Sequence, residues 1–200
     1  VGVVIGSSNG GISTLCAQHR VLRETGPTRM SPFAIPMSRS NMASALVAME
    51  WGLQGPSLSV AAACATASQS LAEACRLIQM GEADAVLAGG SEAPVCELIL
   101  GAFCAMRAVS TRNAHPQEAS RPFDKDRDGF VIAEGAGVLV LEEESHARRR
   151  GAVILAEIAG HSSTTDAHHI TQPSPDGAPA LRAMRAALAK ARCLPEDLSC

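Results

Sequence analysis

The sequence predicts an α/β fold, and three observations predict it. Short apolar runs such as Val3–Ile5 and Asp84–Ala88 alternate with longer stretches of helical periodicity. Glycines and Gly-Pro pairs punctuate the boundaries, as at Gly52, Gly55-Pro56 and Gly89-Gly90. Small residues abound while aromatics make up only 2% of the chain, so close backbone approach must build the core.

In order, Val3–Ile5 reads as a buried strand and Gly6–Gly10 as a loop. Ile12–Arg23 reads as a helix, and Met37–Trp51 as a second one stopped by Gly52. Leu58–Ala63 reads as a buried strand. From about Ala65 to Met80 a helix places Leu71, Cys75 and Ile78 on one face and Glu73 and Arg76 opposite. Asp84–Ala88 is the next strand, closed by Gly89-Gly90, and Cys96–Met106 a further helix. Ser110–Asp128 is polar and irregular. Phe130–Glu142 reads as strand, Glu143–Arg150 as a short charged helix, Ala152–Ile158 as strand and Ala178–Arg192 as an alanine-rich helix. Helices are expected on both faces of one sheet.

The 200 residues suit one large domain or the better part of one. Both ends look cut through ordered structure, so an internal piece of a longer protein is expected. A net charge of −3 gives no global basic field, and no nucleic-acid partner is expected. No apolar run has the length of a membrane span. Seven scattered cysteines, odd in number and without a C-x-x-C, argue for a reduced, cytoplasmic compartment.

Cys64 is the strongest candidate for chemistry. It stands in Ala61-Ala62-Ala63-Cys64-Ala65-Thr66, where a strand gives way to a helix. The free N–H groups and positive dipole end of a helix N-terminus favour a thiolate nucleophile. Small neighbours let the backbone turn sharply, in the manner of a nucleophile elbow. Cys75, Cys96 and Cys104 read as packed small hydrophobes.

The chain resembles a known family along almost its whole length. Gly52-Leu53-Gln54-Gly55-Pro56-Ser57 precedes the cysteine, and the run from Gly81 to Glu92 follows it. Then come Ala108-Val109-Ser110-Thr111-Arg112-Asn113, Ser120-Arg121-Pro122-Phe123-Asp124, Arg127-Asp128-Gly129-Phe130-Val131, Glu134-Gly135-Ala136 and Asp166-Ala167-His168-His169-Ile170-Thr171. In order and spacing these motifs are similar to the chain-elongating β-ketoacyl-[acyl-carrier-protein] synthases, the ketosynthases of the thiolase-like superfamily. The resemblance implies a thiolase-like layered α-β-α-β-α architecture. Most of the N-terminal half would occupy residues 1–150, and the start of the C-terminal half residues 151–200.

It also implies acyl transfer from a carrier protein to Cys64, then decarboxylative Claisen condensation with a malonyl carrier protein. The Cys64 amide would serve as an oxyanion donor. The family's two histidines lie in Asn-Ala-His-Gly-Thr and Gly-His motifs, neither of which occurs in these 200 residues. Asn9, Phe103, His169 and Thr171 are implied as substrate-binding residues. Asn9 stands where elongating enzymes often carry an apolar gate. His169 reads equally as a locally bonded loop histidine. Arg29 and Arg107 match docking positions for an acidic acyl carrier protein, beside the alternative of solvated surface charge, and Thr28 replaces a neighbouring basic residue. No cofactor is expected, because 4'-phosphopantetheine travels on the carrier. A homodimer is expected.

No metal is expected. Asp124-x-Asp126-x-Asp128-Gly129 imitates half an EF-hand, but Gly135 stands where the bidentate Glu belongs. The resemblance makes these charges structural, and Arg148–Arg150 reads as the dipole-satisfying end of a helix. Two rival functions remain open: a CoA-dependent thiolase-like acyltransferase, and a non-catalytic dimer partner of the chain-length-factor type.

Overall fold

A computed structural model describes residues 1–199. Four strands form one mixed sheet: β1 (Gly2–Gly6), β2 (Ser57–Leu58), β3 (Ala85–Glu92) and β4 (Gly135–Glu142), in the order β2-β1-β3-β4. β1 runs parallel to β2 and β3, and β4 closes antiparallel on β3 from Ala85↔Glu142 to Glu92↔Gly135. The helices are α1 (Ile12–Thr25), α2 (Ala34–Ser38), α3 (Met42–Trp51), α4 (Thr66–Gln79), α5 (Glu97–Ala105), α6 (Glu144–Arg149) and α7 (Ala178–Ala191).

The core lies between α4 and the sheet. Val4, Val86 and Ala88 alternate onto one sheet face and meet Ala74 and Leu77, with Val60, Leu71, Ile78 and Leu141 around them. The fully buried stripe of α4 is Thr66, Ser70, Ala74 and Leu77, and the expected Leu71 and Ile78 lie partly buried beside it against the core. The sheet approaches too closely for large side chains. A Cβ on Gly6 would press on Thr66, on the Val60 carbonyl at 2.5 Å and on the Ser70 hydroxyl at 2.7 Å, and one on Gly90 would meet Ala67 at 3.0 Å.

Those contacts also explain why Gly89 and Gly90 sit inside β3 instead of ending it. Gly89 faces the Gly137 backbone across the ladder, and Gly90 lies under α4. The expected helix over Met37–Trp51 is broken. Arg39 is extended (φ −81°, ψ 140°), and Ser38 turns its carbonyl to the Gly11 amide at 3.2 Å, so α2 ends against the glycine loop.

The strand expected over Leu58–Ala63 shrinks to Ser57–Leu58, and both residues are exposed. Beyond it the buried Ser44 hydroxyl takes the ladder's place, accepting from the Ile5 amide at 2.8 Å and donating to the Leu58 carbonyl at 2.7 Å. Phe130 makes one bridge to Val109, and the strand proper begins at Gly135. Ala152–Ile158 joins no ladder among the described residues: a strand needs a neighbour, and Val153 and Leu155 stand exposed. Farther on, Gly160 lies against the α7 backbone at Ala187 and Ala191.

Of the layered architecture, the described residues hold one mixed sheet with its helices.

Candidate active site

The site is built at the C-terminal ends of β1 and β3, where α4 begins. Cys64 occupies the middle of a 3-10 turn, Ala63–Ala65, directly ahead of α4. The turn is strained: Ala63 has φ 47°, a left-handed conformation unfavourable for a residue with a side chain. Thr66 pays for that strain. Its buried hydroxyl accepts from the Ala62 amide at 2.9 Å and donates to the Ala63 carbonyl at 2.7 Å. The Ser70 hydroxyl then donates to the Thr66 carbonyl at 3.0 Å. The turn is held from below while the Cys64 side chain stands exposed. An exposed cysteine thus stands on a tight turn at the start of α4.

A second rim follows β1. The Glu92 carboxylate accepts from the Ser7 hydroxyl at 3.0 Å, the Ser8 amide at 2.8 Å and the Asn9 amide at 3.1 Å. Ser7 in turn accepts from the Gly10 amide at 2.9 Å. Asn9 is therefore fixed by its backbone and leaves its side chain exposed. Sequence reasoning gave Glu92 no role. Its signal was present only as a Glu at the end of a strand, and its partners lie far away in sequence.

Phe103 lies half-buried in α5 and meets Phe130 edge-on, with ring centroids 5.0 Å apart at 86°. Arg107 follows at left-handed φ 55°, where the chain leaves α5 to pair with Phe130. A Cβ on Gly129 would strike the Val109–Ser110 backbone, so Gly129 is what admits this crossing. Asp128 secures it. It accepts from the Ser110 hydroxyl at 2.7 Å, the Thr111 amide at 2.9 Å and the Arg121 guanidinium at 3.1 Å. Those three contacts, in that order, hold its pKa down at about 2. Asp124 accepts from the Asp126 amide at 2.7 Å. Asp124 and Asp128 are thus engaged in turns of the backbone.

His169 and Thr171 stand together in the exposed loop before α7. His169 Nδ1 accepts from the Thr171 amide at 3.1 Å and the Gln172 amide at 3.2 Å. That leaves Nε2 as the outward nitrogen. The stretch is tied to α4 by Gln69, which donates to Ser163 at 2.6 Å. Burial, with Lys190 and Arg76 nearby, holds His161 below its ordinary pKa. Arg29 is exposed at the end of a separate 3-10 turn, Pro27–Arg29, after α1.

Comparisons with known proteins fit this arrangement. Residues 1–147 match the model of the beta-ketoacyl synthase N-terminal domain, and residues 155–200 that of the beta-ketoacyl synthase C-terminal domain. The chain is 48% identical over 198 residues to the 3-oxoacyl-[acyl-carrier-protein] synthase 2 of Rhizobium meliloti, covering 98% of this chain and 47% of that one. It is also 48% identical to the mitochondrial 3-oxoacyl-[acyl-carrier-protein] synthase of Arabidopsis thaliana, over 98% of this chain and 43% of that one. The chain therefore spans about half the length of the curated relatives it matches.

Among solved structures, a type II PKS ketosynthase in complex with its acyl-carrier protein and bound to the hexaketide superposes with a TM-score of 0.91 at 35% identity. That match covers 98% of this chain and 49% of the other. A beta-ketoacyl synthase from Burkholderia phymatum superposes with a TM-score of 0.85 at 36% identity, covering 96% and 46%.

Proposed function

The chain belongs to the beta-ketoacyl synthase family, and from that premise we propose that the whole protein is a β-ketoacyl carrier-protein synthase of fatty-acid or polyketide synthesis. The observation that carries the reading is Cys64, exposed on a strained turn whose backbone Thr66 braces. The Cys64 sulfur attacks the thioester of an acyl carrier protein, forms acyl-Cys64 and releases the carrier thiol. The carbanion left when a malonyl carrier protein loses CO₂ then attacks that acyl group and expels the Cys64 thiolate. The Cys64 amide stabilises the developing oxyanion.

Asn9, Phe103, His169 and Thr171 contact the acyl chain or its pantetheine arm, and Arg29 and Arg107 receive the acidic carrier. The 4'-phosphopantetheine belongs to that carrier, and the enzyme itself needs no cofactor or metal. The enzyme acts as a homodimer in a reducing cytoplasm. One fact supports the reducing setting: all six described cysteines are free thiols.

The test is intact-mass spectrometry of the full-length protein after exposure to an acyl carrier-protein thioester. The protein gains the acyl mass, and Cys64→Ala abolishes the gain. Equal acylation of the variant would overturn the assignment. Acylation from acyl-CoA alone, with the carrier thioester inert, would support the thiolase-like rival instead. Cys64 itself favours catalysis over the chain-length-factor reading.

A further inference from the structure

The loop after β1 carries a chemical liability separate from acyl transfer. Asn9, exposed to solvent, is followed directly by Gly10. In an Asn-Gly pair the glycine nitrogen can attack the asparagine side-chain carbonyl carbon, because glycine has no Cβ to crowd the approach. This glycine is required by the fold. Gly10 has φ 56°, and a Cβ there would lie 2.7 Å from the Ser38 carbonyl oxygen and 3.2 Å from the Ser40 nitrogen. The backbone thus demands the residue that leaves its neighbour most labile.

The same loop is tied at every residue from Ser7 to Gly11. The Ser7 hydroxyl donates to the Glu92 carboxylate at 3.0 Å, and the Ser8 and Asn9 amides donate to it at 2.8 Å and 3.1 Å. The Gly10 amide donates to the Ser7 hydroxyl at 2.9 Å, and the Gly11 amide to the Ser38 carbonyl at 3.2 Å. Ser7 itself is buried, so water competes poorly for the oxygen that Gly10 faces.

We propose that Ser7 and Glu92 guard a deamidation site at Asn9, holding the Asn9-Gly10 pair away from succinimide formation. In the reaction held back, the Gly10 nitrogen loses its proton and bonds to Asn9 Cγ. The side-chain nitrogen leaves as ammonia and takes up that proton. Water then opens the succinimide at either carbonyl, giving aspartate or isoaspartate. Two requirements of the first step conflict with the observed bonds. The attacking nitrogen must release a proton that it donates to Ser7. It must also swing onto Cγ, which breaks the Ser7 bond, and the Ser38–Ser40 backbone leaves Gly10 little room to move. Intramolecular attack depends steeply on such alignment. Reaction is therefore confined to the small fraction of molecules in which the loop is locally open. Escape from the guard places a new carboxylate close to that of Glu92, and the like charges repel. The inference does not depend on the acyl-transfer reading, since it concerns only the integrity of the loop.

The experiment incubates the full-length protein in mildly alkaline buffer and maps its peptides for aspartate and isoaspartate at position 9. An unstructured synthetic peptide spanning Ile5–Ser13 and the protein unfolded in urea serve as references. The native protein is expected to deamidate at least about tenfold more slowly than the peptide, and the unfolded protein at a rate close to the peptide's. Ser7→Ala and Glu92→Gln, each checked for cooperative melting, are expected to speed the native reaction by about threefold or more. If one variant does not fold, the other decides. Hydrogen exchange of the wild-type Gly10 amide is read alongside and is expected to be slow. The proposal is overturned if the native protein deamidates as fast as the peptide or faster, if folded variants stay as slow as the wild type, or if the Gly10 amide exchanges at the free-chain rate.

Discussion

The junction of α4 with β1 and β3 and the outer strand β4 are both apolar, yet they have opposite fates. At the junction Val4, Val86, Ala88 and Ala74 are wholly or almost wholly buried, and contacts are limited by single Cβ atoms. In β4 the residues Gly135–Val140 are exposed, with Val140 at 64% of its full surface, although the strand is fully laddered to β3 on one side. Hydrogen bonding alone therefore does not bury a strand. The junction supplies its own cover through α4, and the elbow inherits its rigidity from that cover. β4 carries an open edge and an apolar face of the kind that other protein surface normally covers.

The largest expected effect comes from filling the junction. Gly6→Ala puts a methyl group into Thr66, the Val60 carbonyl and the Ser70 hydroxyl, so a loss of about 3 kcal/mol is expected in urea unfolding. Cys64 alkylation should accelerate or lose its selectivity with it, because the same Thr66 braces the turn. An unchanged midpoint would show that the elbow is not locked by this approach.

Leu77→Ala should follow, costing roughly 2–4 kcal/mol, because Leu77 is a buried member of the core cluster. The contrasting substitution is Leu139→Ala on β4, expected to change stability by no more than about 0.5 kcal/mol. A cost at Leu139 equal to that at Leu77 would erase the distinction between the two regions.

A smaller effect is expected at Asp128, and it depends on pH. Its folded pKa of about 2 lies below the unfolded value near 3.8. Its contribution is therefore complete above roughly pH 4 and falls away as the pH drops towards 2. Asp128→Asn should flatten the dependence of Tm on pH across that window while leaving the slope above it unchanged. An unaltered acid slope would mean that the Ser110, Thr111 and Arg121 contacts do not survive in solution.

Much of this was legible in the sequence. The succession of strands and helices follows from apolar runs between glycines, and Cys64 stood out because only small residues surround it. What was misread shares one cause, which is contact between distant segments. Ser44 ends β2 early through a hydroxyl from another helix, and Ser38 breaks a helix to reach Gly11. Periodicity marked Leu71 and Ile78, which do pack on the core, but the closeness of Gly6 and Gly90 gives the fully buried places to the smaller Ser70 and Ala74. Ala152–Ile158 has strand-like composition, but composition supplies no neighbouring ladder. Glu92 was invisible because all three of its donors come from the end of β1.

The Glu92 clamp grips main-chain and Ser7 atoms, and takes nothing from the Asn9 side chain. Whatever amino acid stands at position 9 is thus presented at the same spot and angle. Selectivity there is free to drift by simple exchange of one group, with no rebuilding of the scaffold that displays it.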